Sequence, residues 1–332
     1  MKKILLINFL VFVVIVLVLE VGVRSLNLIN LLGVKKNLFT LNQSTPSHNT
    51  NVESIVYGKK VYTDKFGFRV PMPNYSYREN KTNFFLLGDS VSFGVGVIEE
   101  DSFVGILRKK NENYNFYNSS VIGHHLESYF QVLSNYNSAF DFKNILVFIC
   151  LNDIHFVDGI QKEEKLIFDN NKEDLTYRLK TNKTLIKINF FLRERSALYV
   201  YIKSIFSNPS KRYFNVTYSK YLEKNLLDVF DDKIKNIKNF SENNDKNIAI
   251  VTLPYEYQTR KENCNKKNLL PQKVIKDILN KNNLTNIDLS QKFCDHKEPK
   301  SLFLKHDPVH LSKEGHKFVV SLIDEYGILN NK

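Results

Sequence analysis

The chain has 332 residues, of which 43% are hydrophobic, and this is ordinary for a globular protein of one large domain or two small ones. The formal net charge is +12. Lysine and asparagine recur along the whole sequence and form no single basic patch, which argues against a nucleic-acid-binding surface. A weaker role for the charge is attraction to anionic envelope polymers or lipid headgroups.

The N-terminal segment 1–24 predicts a single transmembrane anchor. An apolar run extends from Ile4 to Leu19, and Glu20 and Arg24 close it. With the apolar residues just beyond, the run approaches the ~20 residues that span a bilayer. Two lysines before the run place the amino terminus in the cytoplasm and the rest of the chain outside it, in the periplasm or at the cell surface. A cleaved signal peptide is the alternative, but no A-x-A arrangement of small residues is present.

Residues 25–80 are interpreted as a connector with some local structure. Asparagine, serine, threonine and proline cluster from Asn42 to Asn51, which is typical of an exposed linker. Alternating aromatic residues between 61 and 69, together with Gly67, predict a short strand and a turn before two prolines.

Strands and helices alternate from residue 81 to residue 330, and this segment is predicted to be the main domain. Such alternation predicts an α/β fold with a parallel sheet and helices on both faces. The predicted strands are 83–87, 114–117, 144–150, 248–253 and 287–289; the predicted helices are 101–110, 126–137, 218–240, 271–280 and 312–323.

Residues 155–210 interrupt this alternation and are interpreted as an insertion over the carboxyl end of the sheet. They contain charged, asparagine-rich runs and an aromatic, basic helix around Leu185 to Phe206. The insertion either forms a lid or substrate wall, or is a peripheral elaboration. A further alternative for Ile186 to Phe206 is a face that lies on the membrane.

Three cysteines occur in the chain. Cys150 ends an apolar strand and is read as a small buried hydrophobic residue. Cys264 and Cys294 lie in a polar stretch and can pair in an oxidising compartment. No spacing of cysteine and histidine suggests zinc, and neither a metal nor a cofactor is expected.

The stretch from Phe84 to Ser90 predicts a nucleophile. Four apolar residues form a buried strand, and Gly88, Asp89 and Ser90 then turn abruptly. Open α/β sheets place their chemistry at the carboxyl ends of such strands. Ser90 is therefore interpreted as a nucleophile, although aspartate and serine are also common in turns that carry no chemistry.

A base and an orienting acid are predicted near the other end of the chain. Asp307 and His310 stand three residues apart in a turn that leads into the last helix, with Ser312 as its N-cap. His310 would accept the proton of Ser90, and Asp307 would orient the imidazole and stabilise its cation. The other histidines compared with His310 are interpreted as surface or packing residues: His306, His316, His124 and His125.

Three donors are candidates for binding an oxyanion. They are the backbone amide of Ser90, the amide of Gly123 and the side-chain amide of Asn152, each just past a predicted strand. Taken singly, Gly123 is better explained as a turn residue and Asn152 as a helix cap.

Four blocks in this order resemble the SGNH (GDSL) hydrolase superfamily, over residues 83–325. The blocks are 88–92, 118–123, 152–153 and 307–310. The resemblance implies a three-layer α/β/α sandwich with a flavodoxin-like sheet, and the same roles for the residues named above. One departure is Cys150, because a glycine usually stands two residues before the asparagine of the third block.

A narrower resemblance is to membrane-anchored bacterial SGNH proteins. It rests on the N-terminal span, on the sequence FGFR at 66–69 and on FGVGV at 93–97. Some of these proteins transfer or remove acetyl groups on envelope polysaccharides, although a fold does not fix a substrate.

Three functions are therefore compared. The first is hydrolysis of small acyl esters, with acetyl groups on envelope carbohydrate as the expected substrate. The second is O-acyl transfer to a cell-surface polysaccharide by the same residues, which would require an acyl donor passed by a multi-span partner protein. The third, ranked lowest, is an anchored glycan-binding protein without catalysis.

Overall fold

A computed structural model of the protein describes residues 2–26, 28–29, 33–40, 47–155, 182–206 and 208–330. Its sheet has eight strands in the order β1-β2-β3-β5-β4-β6-β7-β8. The strands are β1 Glu53–Val56, β2 Lys59–Thr63, β3 Arg69–Val70, β4 Thr82–Leu87, β5 Tyr114–Asn118, β6 Asn144–Ile149, β7 Asn247–Thr252 and β8 Asn286–Asp288.

The five strands from β4 to β8 are parallel to one another, in the spatial order β5-β4-β6-β7-β8. This is the flavodoxin-like order, in which the chain moves to one side of the first parallel strand and then to the other. The predicted α/β fold with a parallel sheet is confirmed. Because the chain changes direction between β4 and β6, loops that follow these two strands diverge and leave room for a site.

Helices account for most of the rest of the described chain. They are α1 Lys2–Ser25, α2 Ser90–Phe93, α3 Phe103–Lys110, α4 Leu126–Tyr136, α5 Lys183–Arg195, α6 Ala197–Phe206, α7 Pro209–Lys220, α8 Lys224–Asn243, α9 Glu256–Thr259, α10 Leu270–Lys281, α11 Ser290–Asp295 and α12 Lys313–Glu325. Helix α3 packs with α12, whereas α8 packs with α4 and α10. The central strands are fully buried from Phe85 to Leu87 and from Ile145 to Ile149, as expected for a sheet covered on both faces.

Residues 25–80 contribute more than the expected connector. Strands β1, β2 and β3 add an antiparallel extension to the sheet, which β3 joins through the pairing of Arg69 with Asn118. The turn between β1 and β2 consists of Tyr57 and Gly58, both at positive φ (47° and 73°). Two central residues with positive φ make a tight hairpin turn that matches the twist of the strands.

Two of the expected helices are each divided in the structure. The chain from 218 to 240 contains the end of α7 and most of α8, because the buried Tyr221 lies between them and its hydroxyl donates to the carbonyl of Leu151 at 2.9 Å. The expected helix at 185–206 consists of α5 and α6, which meet at Ser196. Residues 156–181, nearly half of the predicted insertion, and residue 207 lie outside the described residues.

Helix α1 is long and apolar enough to cross a membrane, and within the described ranges it is the one helix with this property. Cys264 and Cys294 are joined by a disulfide, and Cys150 is buried as a free thiol.

Candidate active site

Ser90 lies at the end of β4, in a turn that the local sequence enforces. The strand ends at Leu87, and Ser90 is the first residue of the short helix α2. The side chain of Asp89 caps this helix by accepting the amide of Val91 at 2.9 Å. Gly88 must be a glycine, because a Cβ atom there would lie 2.3 Å from the hydroxyl oxygen of Ser92.

Ser90, His310 and Asp307 form a continuous hydrogen-bonded relay. The Ser90 Oγ lies 2.9 Å from the His310 Nε2, and the His310 Nδ1 lies 2.8 Å from the Asp307 Oδ2. The other oxygen of Asp307 accepts the backbone amides of Val309 and His310, each at 2.8 Å. The carboxylate therefore fixes both the turn and the ring, so that Nδ1 donates to Asp307 and Nε2 is free to accept from the serine hydroxyl.

The electrostatics of this pair favour a basic imidazole. Burial alone would lower the pKa of His310, but the charge of Asp307 and its hydrogen bond outweigh burial, and the pKa is raised. Burial would likewise raise the pKa of Asp307, but the opposing charge of His310 and the hydrogen bonds at Asp307 hold that pKa below its usual value. Asp307 thus stays ionised and stabilises the imidazolium that would form when His310 accepts a proton.

Asn152 is held by two partners, one of which is Asp89, the residue before Ser90. Its side-chain nitrogen donates to Asp89 Oδ2 at 2.9 Å, and its oxygen accepts the hydroxyl of Tyr255 at 3.0 Å. These contacts fix which end of the amide is the donor. One N–H of Asn152 is used by Asp89, and the second remains available to a bound oxygen. Burial raises the pKa of Asp89, and the Asn152 hydrogen bond opposes this rise.

Gly123 lies in an open turn that is joined to the turn before Ser90. It has a φ of 87°, and a Cβ atom there would meet no other atom within 4 Å. The amide of Val121 donates to the carbonyl of Gly88 at 3.3 Å, which ties this turn to the residues before Ser90. The neighbouring amide of Ile122 donates to His48 Nε2 at 3.4 Å. Burial lowers the pKa of His48 to about 3, so its ring stays neutral and able to accept that bond.

The structure accounts for the sequences FGFR at 66–69 and FGVGV at 93–97. Arg69, which ends the first sequence, binds the loop after α2, which contains most of the second. Its guanidinium donates to the carbonyls of Gly94 at 2.6 Å, Val97 at 2.7 Å and Phe93. Its Nε lies 2.9 Å from Glu99 Oε2, and Arg69 is completely buried. Gly94 is required here, since a Cβ atom would lie 2.7 Å from the arginine. Arg69 and Glu99 thus hold the loop that follows α2, a structural role that the sequence pattern did not reveal.

Other histidines near the site have different surroundings. His316 is fully buried and its Nδ1 accepts the amide of Phe103 at 3.2 Å, while burial lowers its pKa to about 3. His306 packs edge-on against Tyr201, with ring centroids 6.4 Å apart. His124 is buried and His125 is half-buried, and neither takes part in the relay. Of the histidines compared, His310 is the one that meets Ser90.

Tyr57 is a further neighbour of the site that sequence reasoning missed. Its ring packs edge-on against His310 with centroids 5.4 Å apart. The two-residue hairpin turn brings it there, and the only sequence signal was a tyrosine before a glycine between two short strands. Such a turn does not reveal which distant loop it will reach.

Cys150 does not distort the third block. Its backbone is extended, with φ −99° and ψ 154°, so a residue with a Cβ atom fits without strain. Its amide donates to Asp153 Oδ2 at 2.9 Å, and Asp153 also accepts the hydroxyl of Tyr129. The departure from glycine therefore leaves Asn152 in place. Within the described part of the chain, no group of three or more metal-ligating side chains is placed to hold a metal ion.

The fold is similar to that of solved GDSL lipolytic proteins. A lipolytic protein of the G-D-S-L family from Veillonella parvula DSM 2008 is 14% identical, with 74% of this chain and 97% of that chain covered and a TM-score of 0.40. The lipase/acylhydrolase from Enterococcus faecalis is 13% identical, with 74% and 94% covered and a TM-score of 0.41. An acetyl xylan esterase is 12% identical, with 74% and 98% covered and a TM-score of 0.40.

At this level of identity the similarity is one of fold. Models of protein families and the sequences of curated proteins give no match to this chain.

Proposed function

We propose that this protein is a serine esterase of the SGNH type that hydrolyses small acyl esters. The observation that carries the proposal is the relay in which Ser90 Oγ lies 2.9 Å from His310 Nε2 and His310 Nδ1 lies 2.8 Å from Asp307. A serine within hydrogen-bond reach of a base, itself oriented by a carboxylate, is the arrangement of nucleophilic acyl transfer.

In the proposed first step, Ser90 attacks the carbonyl carbon of the ester. His310 accepts the hydroxyl proton as the Oγ–C bond forms, and the carbonyl π electrons move to the oxygen. The amides of Ser90 and Gly123 and the side chain of Asn152 donate to that oxyanion. When the C–O bond to the alcohol breaks, His310 gives its proton to the leaving oxygen, and the acyl group stays on Ser90.

In the second step, water takes the place of the alcohol. His310 removes a proton from water, the hydroxide adds to the acyl carbon, and the same three donors hold the oxyanion. Collapse of this intermediate returns the proton to Ser90 Oγ and releases the carboxylic acid. The acyl group is proposed to be small, with acetyl on envelope carbohydrate as the substrate.

The proposal includes a retained anchor and a domain outside the cytoplasm. Two contacts support retention of α1: Glu20 accepts the backbone amides of Ala197 and Leu198 at 2.8 and 2.9 Å, and removal of α1 would leave these amides without that partner. The disulfide between Cys264 and Cys294 is in keeping with an oxidising compartment.

The first test is turnover of p-nitrophenyl acetate by the full chain. Ser90→Ala should abolish turnover, whereas Ser134→Ala, which removes an exposed hydroxyl on α4, should leave it unchanged. Turnover by Ser90→Ala equal to that of the unaltered protein would refute the nucleophile.

A second experiment separates hydrolysis from O-acyl transfer, because both begin with the same acyl-enzyme. An acetylated donor and a glycan acceptor are incubated with the protein, and free acetate and acetylated glycan are measured together. Free acetate is the expected product. Acetylated glycan without free acetate would contradict hydrolysis and favour the transferase, with its donor supplied by a multi-span partner.

A further inference from the structure

The α5–α6 hairpin (residues 182–206) carries an unusual share of the exposed apolar surface. Beyond residue 26, the described residues expose twelve large apolar side chains, and seven of them lie on this hairpin. On α6 they are Ile202, Ile205 and Phe206, spaced three and four residues apart on one face, and Phe206 is 85% exposed. A concentrated apolar patch of this kind marks a surface that meets a membrane or another protein.

The hairpin is attached to the end of α1. The carboxylate of Glu20 accepts the hydroxyl of Ser196 and the amides of Ala197 and Leu198 at 2.8–2.9 Å, which caps the start of α6. Arg24 donates to the carbonyl of Arg195 at 2.6 Å. The backbone carbonyl at the end of α5 and the backbone amides at the start of α6, which lack partners within their helices, are therefore hydrogen-bonded by Arg24 and Glu20 of α1.

Helix α6 also lies along α1. The two helices pack against each other, and of the five residues of α1 that are at least partly covered, four share one face: Val13, Val16, Glu20 and Val23, with Gly22 the exception. From Val13 to Glu20 the helix rises about 10 Å, at ~1.5 Å per residue. The partly covered face thus extends well back into the apolar part of α1.

The polar groups inside the hairpin are paired with one another, as an apolar environment requires. The hydroxyl of Tyr199 and the ammonium of Lys203 both donate to the side-chain oxygen of Asn189, at 2.9 and 2.6 Å. Together with the cap from Glu20, these bonds leave the outward face of α6 to apolar side chains. Backbone and polar groups that enter a bilayer must be satisfied in this way within the protein.

The net positive charge of the hairpin favours an anionic surface as its partner. Between residues 182 and 206 there are five basic residues and one acidic residue. A cleft of about 530 Å³ beside the junction with α1 is lined by Lys35, Lys36, Glu194 and Arg195, among others. Apolar side chains combined with an excess of basic ones are typical of helices that lie in the interface of an anionic membrane.

We propose that the α5–α6 hairpin inserts into the outer leaflet beside α1, with lipids that carry anionic headgroups as the partner of its apolar face. This rests on the proposed retention of α1 as a membrane anchor. The hairpin holds the active site at the membrane surface, because Tyr201 of α6 packs against His306, which precedes Asp307. The active site could then reach esters that lie at the membrane surface.

The chain contains no tryptophan, so a single introduced tryptophan reports on its own surroundings. Phe206→Trp replaces one exposed aromatic residue by another and is the hairpin reporter. Phe12→Trp reports on α1. Tyr326→Trp is the matched control, since Tyr326 is exposed and follows α12, a 13-residue helix that leads about 20 Å away from the His310 turn.

Each full-length variant is reconstituted in vesicles of phosphatidylcholine and phosphatidylglycerol whose acyl chains are brominated. Bromine should quench the tryptophan fluorescence of Phe206→Trp and of Phe12→Trp by about twofold or more. The fluorescence of Tyr326→Trp should be unchanged. Quenching of Phe12→Trp without quenching of Phe206→Trp would overturn the hairpin proposal alone. If neither variant is quenched, the result would also contradict the proposal that α1 is a membrane anchor. Turnover of p-nitrophenyl acetate by the same samples reports separately on the esterase.

Discussion

At the scale of single residues, the charge on His310 decides whether Ser90 can be activated. A protonated imidazole cannot accept the serine proton, and the pKa of His310 is raised because the charge of Asp307 outweighs burial. The acid limb of kcat/KM for p-nitrophenyl acetate should therefore have an apparent pKa above about 6.5, the ordinary value for histidine. Activity is lost as the pH falls through that value.

Asp307→Asn supplies the control for this pH dependence. Without the carboxylate, the pKa of His310 should move down and kcat should fall by about 10³–10⁴-fold, since the amide cannot hold the required tautomer. A pH profile that is unchanged in Asp307→Asn would contradict the assignment of the orienting acid.

A second prediction concerns Asn152, whose side-chain nitrogen is fixed by Asp89 and whose oxygen is fixed by Tyr255. Asn152→Ala removes one of the proposed oxyanion donors and should lower kcat by about 10²–10³-fold while KM changes little. The measurement is steady-state turnover of p-nitrophenyl acetate. An effect confined to KM would show that Asn152 binds substrate without stabilising the transition state.

Residues that stand in a recognisable local pattern could be predicted from the sequence, whereas residues known only by a distant contact could not. Asp307 and His310 are three residues apart and Ser90 follows a buried strand, so local patterns made them candidates, and the resemblance of the four blocks assigned their roles. The supporting residues His48 and Tyr57 come from the segment interpreted as a connector. Their contacts, with Ile122 and His310, span 74 and more than 200 positions in the chain, and no local pattern encodes them.

At the scale of elements, the loop after α2 depends on the buried Arg69. Arg69→Met would leave Glu99 and three carbonyls without this partner and should lower the free energy of unfolding by about 3–5 kcal/mol. Denaturant unfolding of the detergent-solubilised chain measures this. Lys292→Met breaks an exposed ion pair with Glu325 and should cost less than about 1 kcal/mol. Equal losses for the two variants would contradict a supporting role for Arg69.

The junction of α1 with the α5–α6 hairpin gives another prediction at this scale. Glu20→Ala removes the cap from α6, which typically costs ~0.5–2 kcal/mol, and should speed cleavage by trypsin after Arg195. Glu53→Ala, at an exposed ion pair with Lys60, is the control and should leave that cleavage unchanged. Equal cleavage rates in the two variants would show that Glu20 does not hold the hairpin.

Most elements of the parallel sheet followed from buried runs and helical spacing, within a few residues at each end. The breaks between helices did not, because each depends on a distant contact. Ser196 is bound by Glu20, 176 positions away, and Tyr221 reaches the carbonyl of Leu151, 70 positions away. Strands β1 to β3 were missed as sheet members because they are short and their pairing completes an edge that only the folded sheet provides.

At the scale of the whole molecule, the strand order brings the site together. Ser90 follows β4 and Asn152 follows β6, which are neighbours in the sheet although β5 lies between them in sequence. The turn before α12 then carries His310 to the same edge. The proposed membrane elements reach this edge as well, through the contact of Tyr201 with His306.

The central claim is that Ser90 is an activated nucleophile. The most direct measurement is labelling of the folded, full-length protein with a fluorophosphonate probe, followed by mass spectrometry to locate the modified residue. The structure predicts one label, on Ser90, that is lost in His310→Ala and retained in Ser134→Ala. Absence of label from Ser90 in folded protein would contradict the claim and would favour a protein that binds glycans without catalysis.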